Sequence, residues 1–201
     1  MKEIGPGVHH WKARHPKIGI EVSSYYVKPA ATLVDPLEPP EGIEWFDSHT
    51  KPERIVLTNR HHYRHSDRFG EAFGCVVLCN EKGLHEFDDG REVEGFAFGD
   101  ELAPGITAQE VGVLCPEETA LHIEVGDGFV SLADSLTNYE ELGFVSDNLL
   151  GDDPEAIKRG LLDSFRRLLE LDFDGLLLAH GDPIVSGGKD ALLRFVESTE
   201  R

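Results

Sequence analysis

Residues 56–66 read Val56-Leu-Thr-Asn-Arg-His-His-Tyr-Arg-His-Ser66. A short apolar run ending at Leu57 delivers three histidines and two arginines within six positions. Imidazole nitrogens are good ligands for zinc and other first-row metals, so His61, His62 and His65 are candidate metal ligands. Arg60 and Arg64 stand among them, and a guanidinium repels a cation held nearby. The segment therefore reads in two ways. It is a metal site, or a site where a fixed positive charge has taken a metal's place.

Around it the patterning alternates between strand and helix. Ile55–Leu57 predicts a short buried strand, and Ser66–Phe73 a helix with Ser66 as its N-cap. Upstream, Ile18–Val27 and Ala31–Val34 predict strands joined by a Lys-Pro turn and ending at Asp35-Pro36. A short helix is expected near Ile43–Asp47, a buried strand at Cys75–Leu78 and another short helix at Lys82–Phe87. Further strands are expected at Glu92–Phe98, Ile106–Leu114, Ala120–Val125 and Phe129–Asp134, the last two joined across Gly126-Asp127-Gly128. The clearest helix begins with Asp153 as cap and Pro154 in its first position. Ile157, Leu161, Leu162, Phe165, Leu168 and Leu169 form its apolar stripe. The apolar run Leu176–Ala179 predicts a strand, and Lys189–Val196 a last amphipathic helix. No linker or low-complexity segment interrupts residues 1–201, so one α/β domain is expected, sheets inside and helices outside.

The composition narrows the function. The chain has 201 residues, 40% of them hydrophobic, enough for a sizeable core. With 38 acidic against 19 basic residues its formal net charge is −19. Such a surface repels phosphate backbones and anionic lipid, which argues against nucleic-acid or membrane partners. No apolar stretch is long enough for a transmembrane helix, and the N-terminus has no signal-peptide core. Three cysteines, Cys75, Cys79 and Cys115, in apolar surroundings suit free thiols in a cytoplasmic protein. There is no Gly-x-Ser-x-Gly elbow and no phosphate-cradling glycine-rich loop with Lys-Ser/Thr.

Four stretches, in order, resemble the metallo-β-lactamase fold superfamily. Tyr25–Pro36 is similar to its opening hairpin, which ends in an aspartate. Val56–His65 stands where the family has Thr-His-x-His-x-Asp-His. Phe129–Leu136 is similar to the strand leading into its Gly-Asp-x-Leu. Leu176-Leu-Leu-Ala-His-Gly-Asp-Pro183 is similar to its closing strand and Gly-His-Gly-x-Pro. Together they span about four fifths of the chain. The resemblance implies an α/β (α+β) fold, a four-layer αββα sandwich. It also implies a metal-activated water attacking an ester, amide or phosphate bond.

The family's ligands carry over only in part. Aligned from Thr58, the first histidine is Asn59 and the second is His61. The aspartate has become Tyr63 and the next histidine Arg64. The mid-chain histidine falls at Val113 or Glu118, while Asp134 and His180 are retained. If the loop carries one extra residue, His62 takes the second position and His65 the last. The resemblance thus implies Asp134 and His180 as catalytic groups. The metal ligands would come from His61, His65, Asp134 and His180, with Asn59, His62 and Glu118 as weaker candidates. At most one zinc, manganese or iron ion is implied, because three protein ligands are the minimum for a catalytic site.

Arg64 opens the alternative. A guanidinium beside Asp134 would neutralise that buried carboxylate without a metal. Arg60 and Arg64 would then serve a small anionic ligand, since arginine suits bidentate contact with a carboxylate or phosphate. Two functions follow: a reduced, single-metal hydrolase, or a metal-free relative that binds a small anion or a protein partner.

Overall fold

The computed structural model describes residues 1–199. Seven strands form the first sheet in chain order: β1 (Lys2–Gly5), β2 (Val8–Arg14), β3 (Glu21–Val27), β4 (Thr32–Val34), β5 (Arg54–Leu57), β6 (Val76–Asn80) and β7 (Glu94–Phe96). It is antiparallel from β1 to β4 and parallel from β4 to β7. The second sheet comprises β8 (Glu101–Ala103), β9 (Ile106–Glu110), β10 (Thr119–Ile123), β11 (Phe129–Leu132) and β14 (Gly175–Leu178). Its order is β14-β11-β10-β9-β8, with β14 parallel to β11 and the other pairs antiparallel. A two-residue ladder, β12 (Thr137–Asn138) with β13 (Leu142–Gly143), follows β11 in the chain.

Three packed layers of side chains hold the sandwich together. Between the sheets, Val8, Tyr25, Val34 and Val56 meet Ile106, Leu121, Ile123 and Leu177. On the outer face of the first sheet, α1 (Ser66–Phe73) and its flanking turns bury Phe46, Phe69 and Phe87 against Leu33, Ile55 and Leu57. On the outer face of the second, α2 (Pro154–Leu168) and α3 (Gly188–Thr199) bury Leu161, Phe165, Leu168, Leu192 and Val196 against Val130, Leu132 and Leu176. The result is the expected αββα order. No helix among the described residues is long and apolar enough to cross a membrane.

Local signals explain most elements. Asp153 accepts from Ala156 N and Pro154 opens α2, as the sequence predicts. Gly126 and Gly128, both at positive φ, make the β10–β11 turn. Other expectations need correcting. Ser66 does not cap α1: His65 holds the cap position without a side-chain bond. The strand expected over Ile106–Leu114 stops at Glu110, because Gly112 turns the chain at φ 59°. The strand expected to reach Asp134 ends at Leu132, which leaves Asp134 free to aim its side chain elsewhere. Cys75, Cys79 and Cys115 are free thiols, the first two buried.

His10 adds a pH-dependent weakness to the N-terminal hairpin. It stacks on Tyr25 and bonds Ser23 Oγ through Nε2 at 3.0 Å. Burial, then Lys12, pushes its pKa down to about 4; Asp182 opposes, while Lys2 and the N-terminal ammonium reinforce. The unfolded chain therefore takes up a proton below the normal value of 6.5 that the folded chain refuses. Stability should fall between pH 6.5 and about 4, by roughly 1–2 kcal/mol after solvent screening. Denaturant midpoints of the native chain and His10→Phe across that range test this. The variant's midpoint should change less.

Candidate metal centre

The site lies where strands end. Asp35 follows β4, Thr58 and Asn59 follow β5, Asp134 follows β11 and His180 follows β14. Glu118 immediately precedes β10. Ligand sites in α/β folds gather at such carboxyl ends. The two sheets are stitched together here. Thr119 N donates to Thr58 O at 2.9 Å, Ser23 N donates to Ala179 O at 2.9 Å, and the Tyr25 hydroxyl donates to Leu178 O at 2.8 Å.

Asn59 starts a tight 3-10 turn over Arg60–Tyr63, its Oδ1 accepting from His61 N at 3.0 Å. That turn drives His62 inward, where it is buried. Asp35 accepts from Thr58 N at 2.9 Å, from the Thr58 hydroxyl, and from His62 Nδ1 at 2.9 Å. Asp35 is ionised: burial opposes this, but His62, Arg64 and Thr58 together hold its pKa below the usual range. His62 Nδ1 must therefore carry the proton it donates, which turns Nε2 towards Asp134.

Asp134 Oδ1 lies 3.2 Å from His62 Nε2 and 2.9 Å from His180 Nε2. Its other oxygen accepts from Asn59 Nδ2 at 3.2 Å. Burial would raise its pKa, yet the charge of His62 and the hydrogen bonds from His180 and His62 hold it well below the carboxylate range. Burial would lower His62, but Asp35 and Asp134 push it up to about 9. Glu118 behaves oppositely. Burial, then Asp134, pushes it up to about 7. One of its oxygens accepts from Ser135 N at 2.8 Å, and Oε2 is buried without a hydrogen-bond partner among the described residues.

The donor atoms of His62, Asp134 and His180 all lie within 4.8 Å of one another, the one such group among the described residues. Two imidazoles and a carboxylate oxygen fit one zinc, manganese or iron ion. They do not fit two. Asn59, at the first histidine position, offers an amide already engaged with Asp134 and His61.

Solved structures share this architecture. No protein-family profile and no curated protein matches the chain. A Cronobacter sakazakii metallo-beta-lactamase described by its HARLDQ motif matches at 16% identity and TM-score 0.69, over 99% of this chain and 94% of that one. A metallo-beta-lactamase family protein from Thermus thermophilus matches at 17% identity and TM-score 0.66, over 98% and 81%. A variant flavo di-iron protein from Thermotoga maritima matches at 16% identity and TM-score 0.65, over 94% and 57%. This chain has the metallo-β-lactamase fold.

Within the metallo-β-lactamase fold the histidine-rich loop is sorted sharply. His62, a weaker candidate from the sequence, lies with Asp134 and His180, where the longer-loop register expected His65 with His62 nearby. His61 does not: its side chain is half-exposed, 3.9 Å from Glu86. His65 does not either; its Nδ1 accepts from Glu38 N at 3.1 Å on the far side of the turn. His61 and His65 lie apart because the 3-10 turn ends at Tyr63. Arg64 then adopts φ 47°, ψ −113°. Arg60 pairs with the buried Glu117, and Arg68 with Glu38. Arg64 does not bond Asp134 directly. Its Nη1 donates to the backbone carbonyls of Ser23 and Asp35, at 2.7 and 2.6 Å, and its charge acts on Asp134 only through space. His122 is a strand residue whose Nε2 donates to Asp172 O at 2.8 Å. Sequence reasoning missed the clamp of Asp35 on His62. The available signal was an aspartate closing the opening hairpin.

Proposed function

We propose that this chain is a hydrolase of metallo-β-lactamase type with a reduced centre, in which His62, Asp134 and His180 hold one divalent ion. The observation that carries the reading is the convergence of three donor atoms, with the ring of His62 already oriented by Asp35 at Nδ1. A carboxylate behind a ligating imidazole is the usual outer support of such a metal. The ion, when bound, lowers the pKa of a water and polarises the bond under attack.

The chain's own residues do the rest. Thr58 fixes Asp35, Asp35 fixes His62, and Asn59 turns Asp134 so that Oδ1 faces both imidazoles. Glu118 supplies a buried carboxyl beside Asp134 that can hold or release a proton near neutral pH at Oε2, which no described residue bonds. The substrate class is a small ester, amide or phosphate, and the compartment is the cytoplasm. The strong negative charge disfavours nucleic acid and anionic membranes as partners.

A second reading has its own support. The His62 imidazolium and the Arg64 guanidinium already set two positive charges against Asp35 and Asp134. A metal-free protein binding a small anion is consistent with that balance. Elemental analysis of untagged protein purified without chelator separates the two. About one equivalent of zinc, manganese or iron, lost in His180→Ala, is expected for the hydrolase. Stoichiometry near zero, with no thermal shift on adding metal, would favour the metal-free binder.

A further inference from the structure

Arg64 is held in an unusual way. It is a non-glycine residue at φ 47°, ψ −113°, a backbone conformation that persists only where the surroundings enforce it. The enforcement is visible: Nη1 is pinned by the carbonyls of Ser23 and Asp35. Nε is buried and has no partner among the described residues, and none of them bonds Nη2. Nε and Nη2 form one edge of the guanidinium, the edge that meets two oxygens of a carboxylate or phosphate side by side. A buried donor left unmade is costly. The residue as a whole keeps partial exposure, while Nε itself is covered, so an anion would reach it only as the side chain shifts. Its charge acts on both Asp35 and Asp134.

We propose that Arg64 is an anchoring residue for a substrate oxyanion, a carboxylate or phosphate group carried close to the bond that is cleaved. The inference rests on reading His62, Asp134 and His180 as the reacting centre. A guanidinium needs no metal to hold an anion, however, so the two claims can fail separately. The backbone strain places the charge beside the donor set, and the two carbonyls keep it from collapsing onto Asp134. The strongly acidic surface makes a local cationic anchor the main means of attracting such a substrate.

The test uses inorganic phosphate, acetate and the uncharged analogue acetamide. Each is titrated by thermal shift into wild-type protein and Arg64→Lys, with and without chelator, with metal content measured on the same samples. Lysine can still reach the two carbonyls but has no fork. Phosphate or acetate should stabilise wild type in both metal states, acetamide should not, and Arg64→Lys should weaken the anion about tenfold or more. Whichever anion binds more tightly distinguishes a phosphate from a carboxylate substrate. Equal affinity in wild type and variant would overturn the proposal, as would anion binding seen only with metal present, or none at all. Anion binding dependent on Arg64 in protein that never takes up metal would sustain the anchor and sink the hydrolase. Should Arg64→Lys not fold, the Nε–H resonance of Arg64 in ¹⁵N-labelled wild type gives the same answer. It should shift on adding the anion, and a resonance unmoved by either anion would overturn the proposal.

Discussion

Replacing Asp134 by alanine should abolish metal binding and lower hydrolysis by about a thousandfold or more. Asp134 Oδ1 is the point on which both imidazoles converge, at 3.2 Å from His62 and 2.9 Å from His180. Without it two imidazoles remain, and two protein ligands are too few for a catalytic ion. Elemental analysis of Asp134→Ala beside wild type checks the first part, and turnover of a generic phosphodiester or ester the second. A variant retaining a full equivalent of metal would refute the assignment. The same substitution has a signature in chelator-treated protein. Asp134 is one of two carboxylates that keep the His62 imidazolium charged, Asp35 being the larger influence. Its removal should lower the His62 pKa from about 9, and a histidine NMR titration reads that directly.

The fold was legible because hydrophobic patterning and turn chemistry agree along the chain. Asp153-Pro154 pairs a capping side chain with a residue suited to the first helical position, and an apolar run such as Leu176–Ala179 has few places to go except a buried strand. Asp134 and His180 come from the resemblance, Asp134 at the end of the expected strand Phe129–Asp134 and His180 just past Leu176–Ala179. The histidine-rich loop was not legible. Three imidazoles in five residues are chemically equivalent on paper, and only the backbone decides which turns inward. That decision is made by Asn59 capping a 3-10 turn instead of an α-turn, and by the positive φ of Arg64. Neither carries a strong sequence signal, because arginine is not a residue associated with that conformation. The destination of Arg64 was misread for a related reason. Opposite charges suggest an ion pair, but the folded chain offers two backbone carbonyls at better geometry. His62 occupies the position next to Asp134 that a guanidinium would have needed.

The second large effect should come from a residue that touches no metal. Asp35→Ala removes a buried carboxylate that accepts from a backbone amide, a hydroxyl and an imidazole at once. Breaking a buried charge network by deleting one partner costs about 3–5 kcal/mol, because the remaining charges stay buried without compensation. Here the remainders are the His62 imidazolium and the Arg64 guanidinium, both of which lower the Asp35 pKa in the native chain. The pH dependence follows. Asp35 has a folded pKa below its ordinary value, so its contribution is complete above the unfolded pKa near 3.8 and is lost as pH falls through the lower folded value. At neutral pH the deficit of Asp35→Ala is therefore present in full, and denaturant unfolding at about pH 7 measures it. Asp35→Asn separates position from charge. An amide oxygen can still accept from His62 Nδ1, so this variant should fold better than Asp35→Ala. Its weaker hold on the imidazole should still lower metal affinity about 10–100-fold, the usual effect of losing an outer carboxylate. If both variants bound metal as tightly as wild type, the clamp would be a folding device alone, and His62 would owe its orientation to the turn that carries it.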